Sequence, residues 1–251
     1  YKIQINNSTM THRLNVWDLL STGLKISEIL EIQNGSYMAE VFSSYEEYCL
    51  AHGIDHSVTR VNYTDTVLRN FLLSKGFLNT ETTYQISCRF NKLRNVTTNK
   101  LKNIQFSKTC NIESLQSMAS EMFDYGRFAE DHTIGKILSD QRYRAWAKDL
   151  YQSQYSRIFM FSKNRLIAFM FFDMKESHTS LILGGVSKQY AHMAKYFWSK
   201  VFCTLPTNHI INTNISSNNL GVVNLYSQFG FKFCNSLIGY HRKWQNSTIK
   251  R

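Results

Sequence analysis

Residues Asn218–Trp244 read NNLGVVNLYSQFGFKFCNSLIGYHRKW. The stretch predicts a polar turn, an amphipathic helix, a Gly-Phe break and then a strand. Asn219 and Tyr226 stand seven residues apart, nearly two helical turns, so the amide and the phenol share one face. Leu220, Val223 and Phe229 are left to pack elsewhere. A phenol with an ordinary pKa of about 10 keeps its proton at neutral pH.

The same pattern occurs earlier in the chain. Placing Gly76-Phe77 on Gly230-Phe231 gives an offset of 154 (230 − 76). Without a gap, HSVTRVNYTDTVLRNFLLSKGF (56–77) then lies over IINTNISSNNLGVVNLYSQFGF (210–231). Val61 meets Ile215, Asn70 meets Asn224 and Phe71 meets Leu225. Both copies predict strand, turn, helix, strand. The first copy has Asp65 in place of Asn219 and Leu72 in place of Tyr226. It keeps the packing residues and loses the paired amide and phenol, so two related halves are expected, of which only the second carries that pair.

The second half continues the pattern. Helices are expected over Glu113–Met122 and roughly Ile134–Gln152, and strands over Arg157–Phe161, Leu166–Phe172 and Thr179–Val186. A helix over Tyr190–Cys203 and a strand over His209–Ile215 lead into the opening stretch. In the first half, Trp17-Asp18, Gly23 and Ile26 are read as opening a strand pair. Residues 36–52 form a helix with Met38, Val41, Tyr45 and Tyr48 on one stripe. The basic segment Asn91–Asn103 is the candidate linker, dividing an N-terminal domain (1–100) from a C-terminal one (101–251).

Asn219, Asn224-Leu225-Tyr226 and Phe229-Gly230-Phe231 resemble the last helix and strand of the GNAT acetyltransferase superfamily. That resemblance implies an α+β fold, a mixed, mostly antiparallel sheet flanked by helices, here preceded by a smaller, degenerate GNAT-like α/β half. It implies acetyl-CoA as co-substrate, with Asn219 contacting the coenzyme arm and Tyr226 as general acid. After the third strand the family carries Q/R-x-x-G-x-G/A at a helix start, whose amides hold pyrophosphate. Here Gln189 and Ala194 match, Met193 and Lys195 flank, and His192 stands where glycine is expected, which puts close phosphate approach in doubt. Gly185 or Val186 would supply a backbone N–H to the oxyanion.

Arg127-Phe128, Asp131, Tyr143 and Trp146 narrow the resemblance to the dTDP-4-amino-4,6-dideoxygalactose N-acetyltransferase group. Trp17-Asp18, Gly23 and the final Tyr240-His241-x-x-Trp244 fit it more loosely. It implies a nucleotide-linked amino sugar as acceptor. Arg127 would pair with phosphate, Phe128 or Tyr143 would stack on a base or sugar, His241 would be the general base and Asp131 the reserve. Two other readings stay open: a GNAT acyltransferase on another amine, and a non-catalytic module for RNA or another polyanion.

Composition bounds these readings. Of 251 residues, 43% are hydrophobic and 14% aromatic, which supplies a core and excludes a disordered chain. The formal charge of +11 suits a polyphosphate partner. The basic residues are dispersed and no RNA-binding motif is legible, so nucleic acid is not expected. Five scattered cysteines without a C-x-x-C pair imply free thiols in a reducing compartment, hence a cytoplasmic location. The eight histidines have no metal-ligand spacing, so no metal is expected. No apolar run is long enough to insert in a membrane, and no signal peptide is visible, although the sequence opens on Tyr1. The Asn-x-Ser/Thr triplets are read as chance. A homodimer is one assembly left open.

Overall fold

The computed structural model describes residues 1–33, 35–93, 96 and 101–244. In chain order it runs β1 (Lys2–Ile5), β2 (Ser8–Leu14), α1 (Val16–Thr22), β3 (Ile26–Gln33), α2 (Met38–Ala51), β4 (His56–Asn62), α3 (Thr66–Ser74) and β5 (Leu78–Arg89). There follow β6 (Ile104–Ser107), α4 (Ile112–Met122), α5 (Lys136–Gln152), β7 (Ser156–Ser162), β8 (Arg165–Met174) and β9 (His178–Val186). Last come α6 (Ala194–Phe202), β10 (Ile210–Ser216), α7 (Leu220–Gln228) and β11 (Lys232–Lys243), with short 3-10 turns at Phe90–Lys92 and Lys188–Met193.

The repeat found in the sequence holds to the residue. Moved by 154 positions, β4 covers β10, α3 covers α7 and β5 covers β11, each with identical ends. The local chemistry repeats as well. Asp65 accepts a hydrogen bond from the Leu68 amide at 3.0 Å, and Asn219 accepts one from the Val222 amide at 3.2 Å. Each is an N-cap satisfying a donor that the first turn leaves orphaned. Both helices then leave through a glycine in the left-handed region, Gly76 at φ 76° and Gly230 at φ 83°. The following phenylalanines, Phe77 and Phe231, are buried.

The chain forms two compact units. The first holds residues 1–81, 131–134 and the chain from Leu237; the second holds 82–130 and 135–236. In the first unit the sheet order is β1-β2-β3-β4-β11-β5, and in the second it is β11-β5-β10-β9-β8-β7-β6. The ladder of β5 with β10 matches Thr83 to Ser216, and that of β4 with β11 matches Leu237 to Asn62, the same register after the offset. Each helix therefore delivers its following strand to the strand of the other copy. This corrects the division expected at residue 100. A linear boundary cannot follow units that exchange their last strands. The candidate linker lies partly outside the described residues, with Asn91 and Lys92 in the first 3-10 turn.

The sheet is mixed and mostly antiparallel, with β3–β4 and β9–β10 as parallel ladders. Seven α helices flank it among the described residues. In the first unit, α2 buries Met38, Val41, Phe42, Tyr45 and Cys49 with Leu72 of α3 and Tyr240 of β11. In the second, Phe197, Trp198, Val201 and Phe202 of α6 recur at helical spacing and pack with Tyr226, Phe229 and Phe231. Each such side chain contributes roughly 1.5–3 kcal/mol by leaving water.

Three local expectations change. Trp17-Asp18 lies in α1 rather than a strand. Asn15 caps that helix by accepting from the Asp18 amide at 3.2 Å and donating to its carboxylate at 2.7 Å, and Gly23 closes it at φ 79°. The helix expected from Tyr190 begins at Ala194, because residues 188–193 wind more tightly as a 3-10 turn. Leu220, expected to pack, is 68% exposed at the first turn of α7.

Candidate active site

Strands β9 and β10 are nine and seven residues long but pair only at Ile210↔His178, Ile211↔Thr179 and Asn212↔Ser180. Beyond those pairs they separate toward Val186 and Ser216. Two side chains close the vertex: Ser180 Oγ donates to Asn212 Oδ1 at 2.8 Å, and Thr213 Oγ1 donates to the Leu181 carbonyl at 3.1 Å. The splay expected from the resemblance is therefore built into the second unit.

Ladder alternation decides which amides face that gap. Ser187 N–H donates to Ile167 O at 2.8 Å, and two residues back Gly185 stands opposite Phe169 on β8. The Gly185 amide is thus turned to β8, and the amides of Gly184 and Val186 are turned to the splay. Of the two expected oxyanion donors, the Val186 amide is turned to the splay and the Gly185 amide to β8. Gly185 is needed for another reason: a Cβ there would come within 2.8 Å of Met122 Cε.

Tyr226 on α7 is 3% exposed. Its ring meets Phe231 at 4.8 Å and 73°, and Trp198 at 6.1 Å and 85°. Burial raises its phenol well above the ordinary value, and the Trp198 indole offsets part of that rise. The group is protonated at every physiological pH. Asn219 is the N-cap of the same helix; its Oδ1 holds the Val222 amide, which leaves its Nδ2 as the group able to reach a ligand.

The segment expected to hold pyrophosphate is the 3-10 turn and the start of α6. The N-cap of α6, Met193, makes no side-chain cap hydrogen bond, and the Ala194 amide donates to the Ala191 carbonyl of the preceding 3-10 turn. Gln189, His192 and Lys195 are exposed; Met193 and Ala194 are half-buried. His192 stacks loosely on Tyr190 at 6.3 Å and 30°. Lys188 is paired with Asp124.

The loop from Phe123 to Gly135 and the helix α5 hold the expected acceptor residues. Phe128 is buried under the guanidinium of Arg142 at 4.1 Å, with Arg127 at 5.2 Å from the same ring. Tyr143 stacks on Phe123 at 4.5 Å and 24° and donates to the Tyr125 carbonyl at 3.2 Å. Their ring faces are filled by the chain's own groups, which corrects the expectation that either is free to stack on a base. Glu130, missed in the sequence, accepts from Gly126 N at 2.8 Å, from Ser216 Oγ at 2.8 Å and from the Asn218 side-chain amide. It ties the loop to the end of β10.

Asp131 and His241 belong to the first unit, the other residues above to the second. The structure does join this pair: His241 Nδ1 lies 2.7 Å from Asp131 Oδ2, and each side chain is 2% exposed. Burial alone would raise the Asp131 pKa. Hydrogen bonds from His241 and from the Thr133 hydroxyl and amide outweigh it and hold the carboxyl at about 2. His56 Nε2 reaches Thr133 Oγ1 at 3.1 Å, completing a buried polar line. His241 so enclosed is a structural partner of Asp131. Both side chains are closed off from solvent as placed, so the general-base role expected for His241, with Asp131 in reserve, requires the amine to gain access to them. Thr133 two residues after Asp131 was the sequence signal for this turn.

Among the described residues no group of His, Cys, Asp or Glu could hold a metal ion, and no helix is long and apolar enough to cross a membrane.

No protein-family profile matches the chain, and no curated protein matches it in sequence. Solved structures do match. A functionally unknown conserved protein from Staphylococcus epidermidis aligns at a TM-score of 0.68 with 11% identity, over 97% of this chain and 94% of that one. A GCN5-related N-acetyltransferase from Sphaerobacter thermophilus aligns at 0.61 with 7% identity, over 94% and 76%. A tandem GNAT protein from the clavulanic acid biosynthesis pathway aligns at 0.61 with 8% identity, over 94% and 78%. At such identities the likeness is one of fold, and the chain has the GNAT fold in a two-half arrangement.

Proposed function

We propose that the chain is an acetyl-CoA-dependent N-acetyltransferase whose second unit carries the chemistry. The observation that supports this most is the splay of β9 from β10, flanked by the uncapped start of α6 and by the helix that carries Tyr226. The residues present fit such a co-substrate. At the start of α6 the Ala194 amide is held by the Ala191 carbonyl, so the amides beside it, of Met193 and Lys195, would be the donors to a pyrophosphate. Gln189, His192 and Lys195 offer side-chain donors beside them, and His192 is exposed rather than packed in the core. Asn219 Nδ2 would reach the pantetheine arm.

Bound there, acetyl-CoA supplies an activated acyl group that an amine can attack directly. The Val186 amide then donates to the carbonyl oxygen as it gains charge. Tyr226, held protonated by burial, gives its proton to the departing sulfur. The proton lost by the amine passes to water.

The finer part of the reading is the acceptor, a nucleotide-linked amino sugar. It rests on the resemblance of residues 126–146 and on the excess of positive charge, with Arg127 as the phosphate partner. Calorimetry with acetyl-CoA tests the first part, and saturable binding is expected; no binding at millimolar ligand would sink it. Thiol release in the presence of aminated nucleotide sugars, peptides and small polyamines then decides the acceptor. Turnover confined to the last two would remove the sugar.

A further inference from the structure

Trp198 is 3% exposed, and its indole N–H has no hydrogen-bond partner among the described residues. A buried donor left open is uncommon, because its lost hydration is not replaced. Its neighbour is the proton donor of the reading above: the Trp198 and Tyr226 rings meet edge to face, and the indole is close enough to ease ionisation of the phenol. The two sit on successive helices of one core, α6 and α7, where Phe197, Phe202, Phe229 and Phe231 exclude water.

We propose that Trp198 is a positioning residue for proton transfer: its Nε1–H is aimed at the Tyr226 oxygen and closes on it as that oxygen becomes a phenolate. The inference rests on the acetyltransferase reading and adds a residue to it. A phenol oxygen has one proton to give and two lone pairs. With the indole on one lone pair, the O–H is left to point at the sulfur. The step balances: the amine nitrogen bonds to the carbonyl carbon, the C–S bond breaks, and the sulfur keeps the electron pair and takes the Tyr226 proton. The phenolate, held by the indole N–H, regains a proton from the water that accepted the amine's. The donor is weak toward a neutral phenol and strong toward an anion, so its help appears when charge develops.

The test uses Trp198→Phe and a second variant with benzothienylalanine at 198, which keeps the bicyclic shape and lacks the N–H. Fluorotyrosine placed at 226 reports its own ionisation by fluorine NMR. Both variants are expected to raise that ionisation pH, to lower kcat by about tenfold or more and to leave the KM for acetyl-CoA unchanged. In a Tyr226→Phe background, Trp198→Phe should cost nothing further. An ionisation pH unmoved in both variants overturns the inference. If that pH moves but Tyr226→Phe turns over normally, the contact stands and the catalytic reading of Tyr226 falls.

Discussion

Residues 56–77 and 210–231 differ least where the backbone needs help and most at one buried position. Both copies cap the helix with an acceptor to the residue three further on, and both leave through a left-handed glycine. The vertex repeats too: Thr59 Oγ1 donates to Ile29 O and Thr213 Oγ1 donates to Leu181 O, each at 3.1 Å. Yet Leu72, 0% exposed, lies among apolar side chains, and its counterpart Tyr226 lies beside an open indole N–H. The first unit pairs some of its buried polar groups and leaves others, His12 Nε2 and His56 Nδ1, without a partner among the described residues. Tyr45 Oη contacts Ser57 Oγ at 2.5 Å and donates to Ser27 Oγ at 2.9 Å, and Trp244 Nε1 donates to Ser57 Oγ at 2.8 Å. Polar atoms that satisfy one another serve the fold; what sets Trp198 apart from His12 and His56 is its edge-to-face contact with Tyr226.

The sharpest way to break the comparison is at its central position. Tyr226→Phe should lower turnover by about 10²–10⁴ with the melting temperature nearly unchanged. Leu72→Ala should do the reverse, costing about 2–5 kcal/mol in a denaturant melt and leaving acetyl-CoA affinity alone. Equal loss of turnover in both would erase the distinction between the halves.

Asp131→Ala removes one partner of a buried pair and strands the other, so about 3–5 kcal/mol of stability is expected to go. Denaturant midpoints measure it. A loss under 1 kcal/mol would show that His241 does not depend on that carboxylate.

The caps predict equality instead. Asp65→Ala and Asn219→Ala should each cost about 1 kcal/mol, since the same bond is lost in the same geometry. A much larger loss of acetyl-CoA binding than of stability in Asn219→Ala would mark the ligand role that Asp65 lacks.

The smallest effect is on pH. Burial, the main cause, with His52 adding, lowers the His12 pKa to about 4. An unfolded histidine at about 6.5 binds the proton sooner, so stability is full above that pH and declines as pH falls toward 4. Asp131 acts lower: its depressed pKa adds stability that is kept above about 3.9 and lost as pH falls through about 2. Thermal melts between pH 7 and 4 should therefore fall, and His12→Gln should flatten that slope.

Much of this was legible in residue order because it is local. The α3 and α7 ends, the glycine corners, the Lys163-Asn164 turn with both φ positive, and the helices of the second half follow from neighbours within a turn or two. The Trp17-Asp18 helix was missed because an Asn-x-x-Asp cap is short beside the apolar run around it. Phe128 and Tyr143 were read as free rings, since nothing in their spacing shows that Arg142 and Phe123 cover them.

By itself the sequence determined that two strand–helix–strand copies exist, in one register, and that only the second carries a phenol. Hydrogen bonds three residues apart and glycine's freedom at positive φ are enough for that. Tertiary structure alone decided that the copies exchange their last strands, that Asp131 meets His241 across 110 residues, and that the Trp198 and Tyr226 rings meet edge to face. Those contacts require the closure of long loops. Their partners are chosen by burial and by the need to satisfy polar groups, and neither leaves a mark at fixed spacing along the chain.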